Sequence, residues 1–223
     1  EGIELLAGLK GADVEAHIRN LTEKAMGLPE NQRPSFSDIY QLRLNMVKPS
    51  LEDVNTVAAL AERYITDEAK EVIPELIRRG KQVYLVSGGI DRIVGAVAKN
   101  LGVTAWFGVQ LRFDTQGRYA GLYWTPTIAD EGKGVICHQI TFMLGGKTTI
   151  FIGDGMTDAA TKGQVDCFAA YTGIHNRPAV VERADIAIES LKELLVPKKK
   201  AVIYMNTQLL HDANYEPPQN LLP

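Results

Sequence analysis

Apolar residues recur three and four positions apart through the first third of the chain, the signature of helices that bury one face. Ile3, Leu5, Leu6 and Leu9 predict a short helix over 1–9, ended near Gly8 and Gly11. Val14, Ile18, Leu21 and Ala25 predict a second over 13–26, and Pro29 and Pro34 then bound a polar loop. A third helix is predicted over 36–47 with Ile39, Leu42 and Met46 on its apolar face and Arg43 just off it. After Pro49, Ser50 stands three residues before Asp53, the spacing of a capping box, so a fourth helix starts there. No strand pattern occurs before residue 80, and residues 10–65 read as a small helical unit.

From Thr66 the pattern alternates. A helix over 67–79 closes at Gly80, and a buried-type strand over 82–86 is followed by Ser87-Gly88-Gly89 and a helix over 91–100. Residues 106–109 and 111–113 are strand-like, and Gln116-Gly117 turns the chain back into 119–123. A loop over 126–133 leads to a helix over 133–144. Thr149, Ile150, Phe151 and Ile152 then form an apolar, β-branched run that stops at Gly153-Asp154-Gly155-Met156-Thr157-Asp158. Strands over 167–171 and 186–188 and helices over 178–183 and 191–195 complete the series. Strands alternating with helices predict an α/β fold, a doubly wound parallel sheet of Rossmann type, with the small helical cap inserted near the N-terminus. The expected division is a core of 1–9 and 66–195, a cap of 10–65 and a C-terminal extension of 196–223. In that extension Lys198-Lys199-Lys200 reads as a solvated linker, 201–205 as a possible short strand, and the segment around Pro217-Pro218 as coil.

Ligands of such sheets bind at the carboxyl ends of the strands. Asp154 and Asp158 are four apart, so with Asp158 in the first turn of a helix both carboxylates could converge on one hard cation; an acidic turn whose aspartates cap that helix is the alternative. Ser87 and the amides of Gly88 and Gly89 suit an anion, because glycine lets the backbone approach closely and a helix N-terminus follows. Lys133, between Gly132 and Gly134, opens a helix and could neutralise a transferring phosphoryl group. Composition narrows the rest. With 223 residues, 45% hydrophobic and a net charge of -3, the chain offers no broad attraction for nucleic acid or an anionic membrane. Two cysteines and no bilayer-length apolar run favour a reducing, cytoplasmic location.

Ser87-Gly88-Gly89, Lys133-Gly134 and Gly153-Asp154-Gly155-Met156-Thr157-Asp158 resemble motifs two, three and four of the haloacid dehalogenase superfamily, in order and at suitable spacing. The stretch from Glu1 to Ala7, Ala25-Met26-Gly27, Arg43-Leu44, Lys48-Pro49-Ser50 and Arg118-Tyr119-Ala120-Gly121 are similar, further, to words of its phosphoserine phosphatases, and the likeness runs to about residue 195. The resemblance implies a magnesium-dependent hydrolase of O-phospho-L-serine, a small phosphorylated amino acid, working through an aspartyl-phosphate in serine biosynthesis. It implies that Glu1 contacts the substrate amino group, Arg43 grips its carboxylate and Met26 helps cover the site. Ser87, Gly88, Gly89 and Lys133 would hold the phosphate, Asp154 would ligate Mg2+, and Asp158 would orient the lysine or a water.

One motif is missing. The Asp-x-Asp-x-Thr that carries the nucleophile and the general acid in this superfamily has no counterpart in the sequence and is expected a few residues before Glu1, so the chain by itself is expected to lack turnover. Its strand would lie between the strands at 82–86 and 149–152. The expectation is therefore an open slot, with 201–205 the only spare strand-like run and without an aspartate. A related small-metabolite phosphatase such as one acting on phosphohomoserine, a phosphotransferase, and a non-catalytic binder of a phosphorylated ligand remain the alternatives.

Overall fold

The computed structural model describes residues 2–28, 32–196 and the backbone of 201–205. Helices α1 (Gly2–Gly8), α2 (Ala12–Gly27), α3 (Phe36–Val47) and α4 (Leu51–Ala59) precede α5 (Asp67–Arg78). Strand β1 (Gln82–Ile90), α6 (Asp91–Leu101), β2 (Ala105–Val109) and the hairpin β3 (Leu111–Phe113) and β4 (Tyr119–Leu122) follow. The chain ends with α7 (Gly132–Leu144), β5 (Thr148–Gly153), α8 (Met156–Ala159), β6 (Cys167–Tyr171), α9 (Pro178–Val181), β7 (Ile186–Ile188) and β8 (Ala201–Met205). Caps set several of these ends. Ser50 and Asp53 form the reciprocal capping box, with Ser50 N–H donating to Asp53 Oδ2 at 2.7 Å and Asp53 N–H to Ser50 Oγ at 3.0 Å. Gly102 takes the left-handed conformation that ends α6, and Gly117 does the same in the hairpin turn.

Six parallel strands form one sheet in the order β2-β1-β8-β5-β6-β7, and β3 and β4 pair antiparallel apart from it. Both sheet faces are covered. Val83, Leu85, Ile150, Ile152 and Ala169 pack against α5, α6 and the turn at Leu191–Leu195, while Val86, Phe151, Phe168 and Ala170 pack against Ile136, Cys137 and Ile140 of α7. The third apolar cluster joins α1, α2, α3 and α4 to Ile90, Val109 and Ile128, so the helical unit rests on the carboxyl end of β1 and β2. Among the described residues no helix is long and apolar enough to cross a membrane.

Three expectations change. The slot between β1 and β5 is filled: β8 pairs parallel with Gln82 to Leu85 on one side and with Thr148 to Ile152 on the other. A central strand satisfies two rows of backbone groups that would otherwise lie unpaired inside a covered sheet, which decides in favour of the spare run. The strand predicted to stop at Val86 continues to Ile90, with an irregular register after Val86 where β1 pairs with β2, so Ser87, Gly88 and Gly89 belong to a distorted strand end rather than a free turn. In α3 the buried residues are Tyr40, Arg43, Leu44 and Val47, whereas Leu42 and Met46 are exposed. The helix carries apolar residues nearly all round, and the side with the aromatic rings faces inward. Residues 197–200 and 206–223, with the predicted linker and coil, lie outside the described residues.

Candidate active site

Register places the two chemistry-bearing strand ends side by side. Met205 of β8 pairs with Leu85 on one side and Ile152 on the other. Ser87 and Asp154 each stand two residues further along, Ser87 where the register of β1 becomes irregular and Asp154 just past the end of β5, with β8 between the two strands. Ser87 and Asp154 are each only 2% exposed.

The turn after β5 is built around Asp158. Its Oδ2 accepts from the amides of Gly155 at 2.9 Å and Asp154 at 3.2 Å, and its Oδ1 accepts from Lys133 Nζ at 2.6 Å. Gly153 is required here, because a Cβ at that position would lie 2.2 Å from the Asp158 Cβ. Against the expected convergence of both carboxylates on a cation, Asp158 is turned onto two amides and an ammonium. The helix-capping alternative holds for Asp158, which receives the Gly155 amide at the start of α8.

Lys133 is buried because the start of α7 is clamped. A side chain at Gly132 would collide with the Pro126 carbonyl at 1.5 Å, and one at Gly134 would meet the Ala160 carbonyl at 2.6 Å. That approach brings the ammonium inside, where the Asp158 carboxylate neutralises it. One helical turn on, burial pushes the Cys137 thiol far above its usual range, with Lys133 opposing and Asp158 adding to the shift. A thiol held neutral in this way is not a nucleophile.

Burial first, and the Asp158 charge second, raise the Asp154 carboxyl above its ordinary value, while Arg177, Lys133 and His175 pull it down. Arg177 Nη1 donates to the Asp154 carbonyl at 3.2 Å and lies 3.5 Å from Oδ2. Arg177 and His175 were not apparent as site residues, since both stand in the irregular stretch before Pro178 with no periodicity or motif to mark them. A buried carboxylate with a like-charged neighbour is chemistry that a divalent cation would relieve. Among the described residues no three His, Cys, Asp or Glu side chains cluster as a metal cage. Magnesium fits such a site, because it is commonly held by one or two carboxylates together with waters and substrate phosphate oxygens.

At β1, the Gly89 amide donates to Ser87 Oγ at 3.0 Å, so hydroxyl and amides are gathered at one point. Gly88 is overlaid by the helical unit: a Cβ there would lie 2.7 Å from the Phe36 ring. The first residue of α3 is also tied down by its N–H, which donates to Asp130 Oδ1 at 3.2 Å. Phe36, Tyr40 and Arg43 occupy one side of α3 at spacings of four and three, and Arg43 is 3% exposed, so its guanidinium is enclosed rather than spread on the helix surface. Glu1 lies outside the described residues, as does the side chain of Met26, whose backbone belongs to α2.

The haloacid dehalogenase-like hydrolase family matches residues 4–161. A phosphoserine phosphatase of Rattus norvegicus is 35% identical over 200 residues, spanning 87% of this chain and 85% of the relative. Two solved structures, a phospho-aspartyl intermediate analogue of phosphoserine phosphatase and a substrate-bound phosphoserine phosphatase complex, each superpose with a TM-score of 0.71 at 28% identity, over 87% of this chain and 90% of theirs.

Proposed function

The chain belongs to the haloacid dehalogenase-like hydrolases, in the branch that holds the phosphoserine phosphatases, and from that premise we propose that it serves a magnesium-dependent phosphomonoester hydrolase acting on O-phospho-L-serine. The observation that carries the reading is the buried Lys133–Asp158 pair beside Asp154, on the sheet edge that also holds Ser87. A phosphate seated there meets a hydroxyl and glycine amides at the end of β1 and an ammonium from α7. Lys133 neutralises the charge on the phosphoryl oxygens, and Asp158 fixes the direction of that ammonium. Asp154 holds the magnesium ion, which supplies charge stabilisation for phosphoryl transfer when bound. Arg43 takes the substrate carboxylate, for which a guanidinium fork is suited; Glu1 takes the amino group and Met26 covers the site.

None of the chain's own carboxylates at the site takes the nucleophile's part. Asp158 is saturated by Lys133 and two amides, and Asp154 is assigned to the cation. In this reading the phosphoryl acceptor is an aspartate N-terminal to Glu1, on a strand that would take the place between β1 and β5 that β8 holds here. The buried free cysteines accord with a cytoplasmic location.

Hydrolysis of a panel of phosphomonoesters, with the acceptor segment present and magnesium supplied or chelated, tests the proposal. Phosphoserine is expected to be preferred and chelation to stop turnover. Arg43→Ala should cost about 2 to 5 kcal/mol of transition-state stabilisation on phosphoserine and far less on a phosphoester without a carboxylate. Equal losses on both substrates would remove Arg43 from substrate recognition.

A further inference from the structure

A second concavity lies away from Asp154 and Lys133, where α4 of the helical unit meets α6 and the strands β2 and β3. It encloses about 580 Å³, within the range of small-molecule sites. Its accessible apolar lining comes from the half-buried Trp106, Leu111 and Phe113, set over the buried Val54, Ile90 and Val109. One wall is the Trp106 indole, seated so closely on α6 that a Cβ at Gly95 would come within 2.9 Å of it. The indole N–H donates to the Asp91 carboxylate, and Lys99 Nζ stands 5.8 Å from the ring centroid. Trp106 is thus held in place from three sides.

The rim is cationic. Arg92 and Lys99 are seven positions apart on α6, two helical turns and about 10.5 Å along one side, and both are exposed. Asp91 is the acidic side chain among the lining residues, beside Trp106 and Arg92, so two cations against one carboxylate leave the mouth net positive. The geometry points to a binding site for a planar aromatic anion, a carboxylate, sulfonate or phosphate ester on a ring system, with the rings against Trp106, Leu111 and Phe113 and the anionic group between Arg92 and Lys99. A ring without the anion would leave the rim uncompensated, and a small anion without the ring would leave Trp106, Leu111 and Phe113 partly in water.

The test is calorimetric titration of the full chain with naphthalene-1-sulfonate and with its uncharged counterpart 1-naphthalenemethanol. The sulfonate is expected to saturate one site, and the alcohol to bind at least tenfold more weakly. Arg92→Gln combined with Lys99→Gln should weaken the sulfonate at least tenfold while leaving the thermal midpoint in place, since both side chains are exposed. In a Trp124→Phe background, which leaves Trp106 as the lone indole, the emission should change on titration. Absence of saturable binding, equal affinity for the two probes, or affinity untouched by removing the two charges would overturn the proposal. So would displacement of the sulfonate by inorganic phosphate together with its loss in Ser87→Ala, because that outcome places the probe at the sheet edge instead.

Discussion

Lys133 Nζ lies 2.6 Å from Asp158 Oδ1, with only 5% and 0% of the two side chains open to solvent. An ion pair so enclosed is a poor source of net stability but a costly thing to break from one side, because the surviving charge has no water to turn to.

Asp158→Asn should therefore destabilise the fold by about 3 to 5 kcal/mol, by stranding the ammonium of Lys133. Lys133→Met should cost less, since Asp158 keeps the amides of Asp154 and Gly155. The double variant should cost less than the two singles added together. Urea denaturation followed by circular dichroism measures all three, and strict additivity would mean that the pair is not coupled.

Gly153→Ala should lower stability by about 1 to 3 kcal/mol, because the new methyl must push the Asp158 side chain out of the turn. Gly27→Ala is the matched control. It meets nothing within 4 Å at the end of α2 and should be neutral or mildly stabilising. The difference between the two thermal midpoints is the measurement.

Asp154 makes a pH prediction of definite sign. Its carboxyl is raised in the folded chain, so ionisation works against folding: stability falls as pH rises from 3.8 through the folded value and is level above it. Asp154→Asn should accordingly raise the melting temperature at neutral pH without added metal. If Asp154 is the cation ligand, magnesium should raise the wild-type midpoint at neutral pH, lose that effect as pH falls through the raised value, and do nothing for the Asn variant. A magnesium shift that survives in Asp154→Asn would place the cation elsewhere.

Ile203 sits in the middle of the sheet, paired with Val83 on one side and Ile150 on the other. Proline cannot donate to a ladder and is not accommodated in a central strand. Ile203→Pro should abolish the cooperative transition or lower its midpoint severely, since each buried group left unpaired costs about 1 to 3 kcal/mol. A near-normal melt would show that β8 contributes little to the sheet.

The sequence reveals most where one physical rule acts alone. The period of α3 and its proline-bounded start marked Phe36–Val47, and short apolar runs marked Cys167–Tyr171 and Ile186–Ile188. The motif residues Lys133, Asp154 and Asp158 could be named because glycines punctuate them, and at Gly132, Gly134 and Gly153 no side chain fits. What was hidden depended on partners distant in sequence. The inward face of α3 is the stripe of Phe36, Tyr40, Leu44 and Val47, which competes in the sequence with Ile39, Leu42 and Met46 and is the one packed on the helical unit's core. The extension of β1 to Ile90 follows from pairing with Val109, and the approach of Arg177 to Asp154 follows from the path of a loop with no pattern. The role of 201–205 was hardest to see, since a five-residue strand carries no sign of which gap it will enter.

That gap governs the order in which the molecule can be made. Gln82 and Thr148 wait for partners at Val202 and Ala201, near the far end of the chain. With β8 as the central strand, the two halves of the sheet, β2 with β1 and β5 with β6 and β7, can form local βα units and zip together only once residue 205 has left the ribosome. Until then each half presents a bare strand edge to whatever else is in solution. Such late, long-range closure is slow and exposes the chain to aggregation, so its yield on expression should respond to chaperones and to temperature more than its final stability would suggest.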